Sequence, residues 1–549
     1  MNKKKVLILS ESHHLASGFG TYAKQVISRL TATNKYEVAE FASYGDPARV
    51  GSIPWDYYSN TPTTEEEQKT FNSNPSGNAF GMWRFNRALL DFKPDIVLTY
   101  RDPWMDEWIK ESPLRQYFHW VWMPTVDSYP QKRKWLETFK SCDAILAYSE
   151  FGEKVLNKQS SNTINTIGCA SPGIDPDLYK PVEDKGKHKA SYGLQEDCFI
   201  VGTVMRNQTR KLFIELMKSF RMFLDNAPKE LAEKTFLYLH TSYPEKGGWD
   251  IEEGILDNNL SANTLCTYVC RACSHWGPSR YKGPVKKCQK CGQRSAFMPN
   301  VGQGLSIEEL IKVYNLFDLY VQYAICEGFG MPQVEAACCG VPVAAVNYSA
   351  MEDVVKHTKG YPIKVQKMFR ELNTNAERAY PSNEHLAEII ETYLSKDESF
   401  REQKSKDVRL GTINRYDWDQ TAKVWGDYID SYAPVNNQGK WDSPIQQLQI
   451  PQSIPNGMSY GDFVKWCFAI LLNSPNRTYS YDAQKYLASL DFGCFVDPQY
   501  GPHLEPFNVE IMFNLFKSRA EEKNTLELVR TGGLGMAPMT FLTKGVSND

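Results

Sequence analysis

Short apolar runs alternate with amphipathic stretches along the first 430 or so residues of the chain. The run KVLILSES predicts a strand, and the stretch SGFGTYAKQVISRL that follows it has a Gly-rich bend and then the apolar spacing of a helix. The runs YEVAEFAS and FKPDIVLTYRD predict further strands. Such regular alternation is typical of an α/β fold with a doubly wound parallel sheet.

A change of pattern divides this part of the chain. The stretch ASPGIDPDLYKP predicts a linker, and a second series of strands and helices starts at CFIVGTVMRN. We place the boundary near residues 175 to 197 and predict two Rossmann-like domains, residues 1–178 and 196–430, that face a cleft. A polar, Pro-containing linker follows, and residues 440–549 are predicted to form a mainly helical extension through stretches such as YGDFVKWCFAILLN and EIMFNLFKSRAEE.

The second domain contains two glutamates, Glu327 and Glu335, on either side of a predicted helix start. Pro332 suits the first turn of a helix and Gly340 suits its end, so the helix is predicted to span roughly 331 to 339. Its free N–H groups and the preceding bend favour an anionic diphosphate. The bend consists of Gly328, Phe329 and Gly330. We expect Glu327 to accept hydrogen bonds from a sugar and Glu335 from a ribose, because carboxylates repel phosphates.

This motif and its flanks, SIEELIKVYNLFDLYVQYAICEGFG, NYSAMEDVV and RYDWDQTAKVW, resemble the retaining GT-B glycosyltransferases of the glycogen-synthase-like group, family four. The resemblance covers most of residues 1 to 430. It implies an acceptor-side N-terminal domain, a donor-binding C-terminal domain and a nucleotide-sugar co-substrate, UDP- or another NDP-sugar. It also implies hexosyl or pentosyl transfer with retention, in which the leaving phosphate takes the acceptor proton and no catalytic divalent metal is required.

The resemblance assigns roles to further residues. Arg206 and Lys211 would neutralise the diphosphate leaving group, and a bend after the first strand would face that diphosphate. This bend is formed by Gly18, Phe19 and Gly20. His119 is expected near the donor sugar, Asp127 near the acceptor hydroxyl, and His240 near the donor or its phosphate. His119 also has an alternative reading as a packed, hydrogen-bonded core residue.

The family pattern is interrupted by two Cys-x2-Cys pairs separated by fourteen residues. Paired cysteines at this spacing predict a zinc ribbon at residues 262–300, with all four coordination positions filled and therefore a structural role. The ligands would be Cys270, Cys273, Cys288 and Cys291, and Cys266 is a possible fifth thiol.

The same segment is strongly basic. From Thr264 to Asn300 there is no Asp or Glu, and seven Lys and Arg residues alternate with the aromatic residues Tyr268, Trp276, Tyr281 and Phe297. The basic residues are Arg271, Arg280, Lys282, Lys286, Lys287, Lys290 and Arg294. Cations for phosphates and aromatic rings for bases are typical of nucleic-acid binding.

Such a surface makes DNA with hydroxymethylated bases a candidate acceptor, as in viral DNA-modifying enzymes. The base would have to be extruded from a duplex or lie in a single strand. The alternatives are a solubilising knuckle with no ligand, a saccharide, lipid-linked or protein acceptor, or a scaffold that binds sugar nucleotides or nucleic acid without catalysis.

Composition adds little to this picture. A chain of 549 residues with 42% hydrophobic residues and a net charge of −3 is expected to be an ordinary globular protein of two or three domains. No apolar run approaches the roughly 20 residues of a transmembrane helix, and no signal peptide is recognisable, so we expect no membrane insertion. A cytoplasmic location is expected, in the host cytoplasm if the protein is viral. The 13 cysteines are expected to be thiols and metal ligands.

Overall fold

The computed structural model describes residues 3–15, 17–300, 303–372, 374–433, 437–450, 452–453 and 506–533. The strands of the first half are β1 (Lys4–Glu11), β2 (Tyr36–Ser43), β3 (Asp56–Ser59), β4 (Ile96–Thr99), β5 (His119–Trp122), β6 (Ala144–Ala147) and β7 (Thr166–Cys169). Those of the second half are β8 (Phe199–Val204), β9 (Thr235–His240), β10 (Thr264–Cys270), β11 (Trp276–Arg280), β12 (Val285–Lys286), β13 (Ala296–Phe297), β14 (Leu319–Gln322), β15 (Val343–Val346), β16 (Tyr361–Ile363), β17 (Val365–Arg370) and β18 (Glu377–Pro381).

The helices lie between and after these strands. They are α1 (Gly18–Ala32), α2 (Glu65–Ser73), α3 (Pro75–Asn78), α4 (Met82–Phe92), α5 (Pro103–Asp106), α6 (Arg133–Lys140), α7 (Glu150–Ser160), α8 (Lys185–Ala190), α9 (Phe213–Asn226), α10 (Lys229–Lys234), α11 (Ile251–Asp257), α12 (Ile307–Tyr314), α13 (Met331–Cys338), α14 (Ala350–His357), α15 (Asn383–Leu394), α16 (Glu398–Arg415), α17 (Trp418–Ser431), α18 (Asn437–Trp441) and α19 (Pro506–Arg530). Short 3-10 turns occur at Pro47–Arg49, Glu107–Glu111 and Arg115–Tyr117.

Each half of the chain contains a doubly wound parallel sheet. The first has the order β3-β2-β1-β4-β5-β6-β7, and the parallel part of the second has the order β10-β9-β8-β14-β15-β16. In both sheets the direction of winding reverses beside the first strand, between β1 and β4 and between β8 and β14. Ligands of such sheets bind outside the carboxyl ends of the strands at this reversal. The loops after these four strands are therefore the place to look for a site.

Sequence pattern explains why the strands are buried. The central strands are continuous apolar runs, such as Val6 to Leu9 in β1 and Val343–Val346 in β15, and all of these side chains are inaccessible to solvent. Strands covered by helices on both faces have this composition. Helices of mixed composition, such as α1 and α9, bury one face against them.

The last helices return to the first domain. In α17, Trp425 and Ile429 are part of the core beneath α1, and the Trp425 indole donates to the Tyr22 hydroxyl. Helix α17 thus packs on the N-terminal domain, although all but its last residue fall within 196–430, the range predicted for the C-terminal domain. Within the predicted extension 440–549, helix α19 is described, whereas the stretch YGDFVKWCFAILLN lies outside the described residues.

Candidate active site

Glu327 lies in the loop between β14 and α13, at the reversal of the second sheet, and its side chain is buried. Its carboxylate accepts hydrogen bonds from Arg210 Nη1 at 2.7 Å and from Gln322 Nε2 at 2.6 Å. It also forms an ion pair with Lys211, and its backbone N–H donates to Ser349 Oγ at 2.9 Å. A buried carboxylate is tolerated because it is paired and hydrogen-bonded in this way.

Two basic residues surround Glu327. Arg210 and Lys211 follow β8 and both contact this carboxylate, and burial lowers the pKa of the Lys211 side chain well below its usual value. Arg210 remains 39% exposed, so its guanidinium retains donors that face solvent. The loop after β8 therefore presents the Arg210 guanidinium at the carboxyl edge of the sheet, where it could bind an anion.

The structure separates the two cations that the sequence pairs. Arg206 is 56% exposed and binds Glu245, with Nε and Oε1 2.5 Å apart, whereas the Lys211 side chain is 7% exposed and contacts Glu327. The two side chains do not meet in this structure, because each is held by a different carboxylate, and their convergence on one anion stays a prediction. Arg210 takes the place next to Lys211. Arg210 could have been recognised from the sequence, because it directly precedes Lys211 in the loop after a strand.

The bend before α13 forms as expected, and the helix begins at Met331 and ends at Cys338. Gly330 has φ +87°, a conformation that glycine adopts without strain. A Cβ atom on Gly328 would lie 2.3 Å from Thr125 Cγ2 of the first domain, so only glycine fits there. The Phe329 side chain is buried against the Tyr416 ring, with centroids 5.4 Å apart. It is therefore the backbone of Phe329, and not its ring, that is left to contact a donor.

Glu335 lies inside α13 and is partly buried. Its Oε2 accepts a hydrogen bond from the Tyr314 hydroxyl at 2.5 Å, and burial raises the pKa of the Glu335 carboxyl above its usual value. An ionised carboxylate has about four acceptor positions, so this bond leaves room for a further hydroxyl donor. Contact of Glu335 with a ribose stays a prediction.

The glycine bend after β1 also forms as expected. Ser17 caps α1 by accepting from Gly20 N–H at 3.0 Å, and a Cβ on Gly20 would lie 2.6 Å from Leu15 O. Gly18, the first residue of the helix, has open space where its side chain would be. Phe19 packs partly against the N-terminal core. The N-terminus of α1 thus borders the reversal of the first sheet, and contact of this bend with a diphosphate stays a prediction.

His119 is not at this edge, and its expected place near the donor sugar is wrong. It is the first residue of β5, so it lies at the amino end of the strand, whereas the loops described above follow carboxyl ends. Its Nε2 is 2.7 Å from the Tyr428 hydroxyl, and its ring stacks on Tyr432 with centroids 3.7 Å apart. Burial lowers the pKa of His119 to about 4. It is a packed residue that joins β5 to α17.

Asp127 follows β5 and meets the second domain. Its Oδ1 lies 2.9 Å from Arg378 Nη1, and its Oδ2 accepts from the Cys326 thiol at 3.2 Å. Because Cys326 directly precedes Glu327, these contacts bring Asp127 beside the Glu327 loop. The predicted proximity of Asp127 to an acceptor hydroxyl is untested, but its place at the junction of the domains is compatible with it.

Asp102, after β4, is a further acidic residue of this region that sequence reasoning missed. Burial, with a contribution from the nearby Asp127 carboxylate, raises the pKa of Asp102 to about 6, while the charge of Arg210 acts in the opposite direction. Strongly shifted carboxyl groups in a cleft mark functional sites. The signal in the sequence was an Asp immediately after the strand run IVLTYR, in the loop at the reversal of the sheet.

His240 ends β9, at the carboxyl edge of the second sheet. Its Nδ1 is 2.9 Å from Thr267 Oγ1, which in turn is 2.9 Å from the Tyr238 hydroxyl. Burial lowers the pKa of His240 to about 4, so the ring is neutral near pH 7. His240 is at the end of its strand, as the sequence predicts, and its contact with a donor stays a prediction.

The four predicted zinc ligands come together. The Sγ atoms of Cys270, Cys273, Cys288 and Cys291 all lie within 4.8 Å of one another. Strand β10, which ends at Cys270, also pairs with β9, so the ribbon is continuous with the sheet of the second domain and is not a separate appendage. Cys266 is buried in β10 and lies outside the cluster.

The sequence predicted aromatic rings that stack on bases, but in the structure the aromatic residues of the basic segment are packed. Tyr268 and Trp276 are buried, the Trp276 ring lies against Tyr192, and the rings of Tyr268 and Phe297 are covered by cations of the segment itself. Most cations, in contrast, are exposed. The exposed ones are Arg271, Arg280, Lys282, Lys287, Lys290 and Arg294.

Comparisons with known proteins agree with this architecture. Residues 300–406, which include the Glu327 loop and α13, match the family model described as glycosyl transferases group 1. Sucrose-phosphate synthase from Thermosynechococcus elongatus has a similar structure, with a TM-score of 0.55 and 19% identity over 78% of this chain and 98% of that one. No curated protein sequence matches the chain.

Two further solved structures are similar. A glycosyltransferase from Rickettsia africae ESF-5 has a TM-score of 0.53 and 13% identity over 79% of this chain and 100% of its own. HepE of Anabaena, solved in complex with UDP and glucose, has a TM-score of 0.53 and 14% identity over 78% and 100%. The predicted GT-B fold is thus confirmed, with a group 1 glycosyl transferase segment in its second domain. No helix in the described ranges has the length and apolar character needed to cross a membrane.

Proposed function

We propose that the protein transfers a glycosyl unit from a nucleotide-sugar to an acceptor hydroxyl with retention of configuration. The observation that carries this proposal is the cluster of Glu327, Arg210 and Lys211 at the reversal of the donor-domain sheet, within and beside the segment that matches the group 1 family model. A UDP-sugar is the donor to test first, because Anabaena HepE was solved with UDP and glucose.

In this proposal the protein supplies position and charge. Arg210 and Lys211 bind the diphosphate as negative charge develops on it, and the amides of the Gly328 to Gly330 bend contribute further donors. Glu327 orients both cations and accepts from a sugar hydroxyl. Because the leaving phosphate takes the acceptor proton, the scheme requires no divalent metal.

Asp102 and Asp127 belong to the acceptor side of this scheme. Asp127 is beside the Glu327 loop through Cys326, and Asp102 follows the neighbouring strand. Both are acceptors for a hydroxyl group when ionised. We propose that they orient the acceptor hydroxyl toward the donor carbon, a role that lowers the entropic cost of the reaction.

We further propose DNA with a hydroxymethylated base as the acceptor. The exposed cations of residues 264–300 support this assignment, since they carry no neighbouring Asp or Glu in sequence and suit a phosphate backbone. Because the aromatic rings of the segment are packed, the support comes from charge alone and not from base stacking.

The activity is tested by incubating the full chain with a panel of nucleotide-sugars and following release of the free nucleotide. Transfer is then measured by mass spectrometry on DNA containing 5-hydroxymethylpyrimidines, on the unmodified DNA, and on saccharide, lipid-linked and peptide acceptors. The anomeric configuration of the product is read by nuclear magnetic resonance. Nucleotide binding with no turnover on any acceptor would support the scaffold alternative, and transfer to a saccharide alone would refute the DNA acceptor.

A further inference from the structure

We infer that the four clustered cysteines bind one zinc ion, and that this ion holds a cationic surface beside the cleft on which a nucleic-acid backbone docks. The Sγ atoms of Cys270 and Cys291 are 3.6 Å apart, and those of Cys273 and Cys288 are 3.7 Å apart. Four sulfurs at about 2.3 Å from a tetrahedral zinc ion lie about 3.8 Å from one another. These two separations match the edges of a zinc tetrahedron, and all four sulfurs lie within 4.8 Å of one another.

The two cysteine pairs have the same turn geometry. Ser274 N–H donates to Cys270 O at 2.9 Å in the first turn, and Gly292 N–H donates to Cys288 O at 3.0 Å in the second. Both turn residues have positive φ, +56° for Ser274 and +71° for Gly292. Lys290 N–H lies 3.4 Å from Cys288 Sγ, as expected where an amide stabilises a thiolate. Two matching turns that present four thiols to one point indicate a closed structural site.

Residues 264–300 contain little regular structure of their own that could hold them in place without a metal. Beyond β10, their strands β11, β12 and β13 contain five, two and two residues, which is little regular structure for a stretch of this length. Small regions without a hydrophobic core of their own depend on metals or disulfides, and the free energy of zinc binding then becomes folding free energy. We therefore expect the conformation of residues 270–297 to depend on the ion.

Zinc also fixes the charge of the surface. Four thiolates around Zn²⁺ carry a charge of about −2, whereas the segment from Thr264 to Asn300 carries seven Lys and Arg residues and no acidic residue. The zinc centre therefore neutralises only a small part of the positive charge of the segment, and the rest can bind an external anion. Arg271 and Lys290 lie inside the two cysteine turns, so the metal sets their positions directly.

The part of the surface around the cysteines stands on the cleft side of the second domain, whereas Arg280 lies opposite Leu265, near the start of β10. Strand β10 runs parallel to β9, with Cys266 opposite Leu239, so Cys270 lies four residues further, beyond the carboxyl edge at which β9 ends in His240. This is the edge that carries the Arg210 and Glu327 loops. A phosphate backbone on this surface would pass next to the cleft, and this part of the inference rests on the proposed DNA acceptor.

The metal is tested first, on the full chain purified in reductant without chelator. Inductively coupled plasma mass spectrometry is expected to find about one zinc per chain. Cys291→Ser is expected to lower this content at least fourfold, whereas Cys169→Ser, a half-buried thiol outside the cluster, leaves it unchanged. Equal zinc in wild type and Cys291→Ser, another metal, or no zinc after dialysis against zinc would each overturn the site.

The docking surface is tested by fluorescence anisotropy with a labelled oligodeoxynucleotide across a salt series. Removing zinc with a mercurial and a chelator, or introducing Lys287→Glu with Lys290→Glu, is expected to weaken DNA binding at least tenfold and to reduce its salt dependence. Glu253→Gln, at an exposed position of α11, is the control and is expected to leave DNA binding unchanged. Hydrogen exchange is expected to rise in residues 270–297 on zinc removal and to stay unchanged in β8 and β15.

The outcomes separate this inference from the proposed function. Zinc binding together with DNA affinity that is insensitive to the metal and to both lysine substitutions would refute the docking surface. Zinc-dependent DNA binding without any sugar transfer would contradict the proposed activity and leave this inference standing. Nucleotide binding measured by calorimetry is expected to be the same with and without zinc.

Discussion

Asp127 and Arg378 form an ion pair, with Oδ1 and Nη1 2.9 Å apart, that joins the two domains beside the Glu327 loop. The contact is extended by a bridge between Tyr129 and Glu377, in which Glu377 N–H donates to Tyr129 O at 2.9 Å. Opening the cleft at this point must break these bonds. The loop after β5 and strand β18 therefore form a latch between the domains.

Replacing Arg378 should weaken this latch. Arg378→Met leaves the carboxylates of Asp127 and Glu371 without their shared cation, and we expect the free energy of unfolding to fall by about 2–3 kcal/mol. We also expect a larger radius of gyration by small-angle X-ray scattering. Arg370→Met, at a 57% exposed position in the same hairpin, is the matched control with an expected change below about 0.5 kcal/mol. Equal effects of the two substitutions would argue against a latch.

Lys211 and Arg206 should differ in their importance for transfer. Lys211→Met removes a buried cation that contacts Glu327, and we expect kcat/KM to fall by about 10²–10³-fold. Arg206→Met removes an exposed cation bound to Glu245, and we expect a fall of less than about tenfold. Kinetics of both variants, with melting curves to verify folding, check the expectation. A larger loss in Arg206→Met would restore the arginine role expected from the sequence.

Gly328 should be sensitive to a single added methyl group. In Gly328→Ala the new Cβ would lie 2.3 Å from Thr125 Cγ2, which forces the domains apart or displaces the Glu327 loop. We expect at least a tenfold loss of kcat/KM, and recovery in the double variant with Thr125→Ser, because serine lacks that methyl group. Thr125→Ser alone serves as the control. Failure of the second substitution to restore activity would show that the clash is not the cause.

Asp102 should give the protein a pH-dependent stability. Folding raises the pKa of this carboxyl from 3.8 to about 6, so the folded state binds the proton more tightly than the unfolded state. The free energy of unfolding is thus expected to fall by about 2–3 kcal/mol as pH rises from about 4 to about 6, and to level off above that.

Urea denaturation of Asp102→Asn between pH 4 and 7 checks this expectation, since the substitution should remove that contribution to the slope. Asp257→Asn, an exposed aspartate in α11, should retain the wild-type slope. If the slopes of wild type and Asp102→Asn coincide, the carboxyl titrates at an ordinary pH.

The buried pair Glu527 and Arg530 should determine whether α19 stays docked. Glu527 accepts from Arg530 Nη2 at 2.7 Å and from the Tyr117 hydroxyl of the first domain, and both charged side chains are almost inaccessible. Glu527→Gln leaves the arginine buried without a counter-charge, and we expect a loss of about 3 kcal/mol in chemical denaturation. Glu522→Gln breaks an exposed pair in the same helix and should cost less than about 1 kcal/mol.

Local sequence signals predicted most of the fold. The helix expected at 331 to 339 is Met331–Cys338, because Pro332 and Gly340 specify its ends without help from other parts of the chain. The alternation of strands and helices predicted both sheets for the same reason. The return of α17 to the first domain could not be predicted, since it depends on packing of Trp425 against residues some 400 positions away.

The site was predicted less completely. A histidine in a run such as YFHWVW could lie at either edge of the sheet, and the strand's start at His119 decides for the amino edge. Which cation approaches Glu327 depends on the path of a loop, and loop geometry selects Arg210 over Arg206. The cysteine cluster was predictable because ligand spacing is a local property of the sequence.

Strand β10 belongs both to the sheet of the second domain and to the cysteine module, residues 264–300, and this has a consequence for solubility. If the module were excised, β9 would become an unpaired outer strand, a template for association between copies of the protein. With the module present, the antiparallel strand β11 lies along β10 instead, and it carries Pro278 and the exposed Arg280, two features that discourage such association.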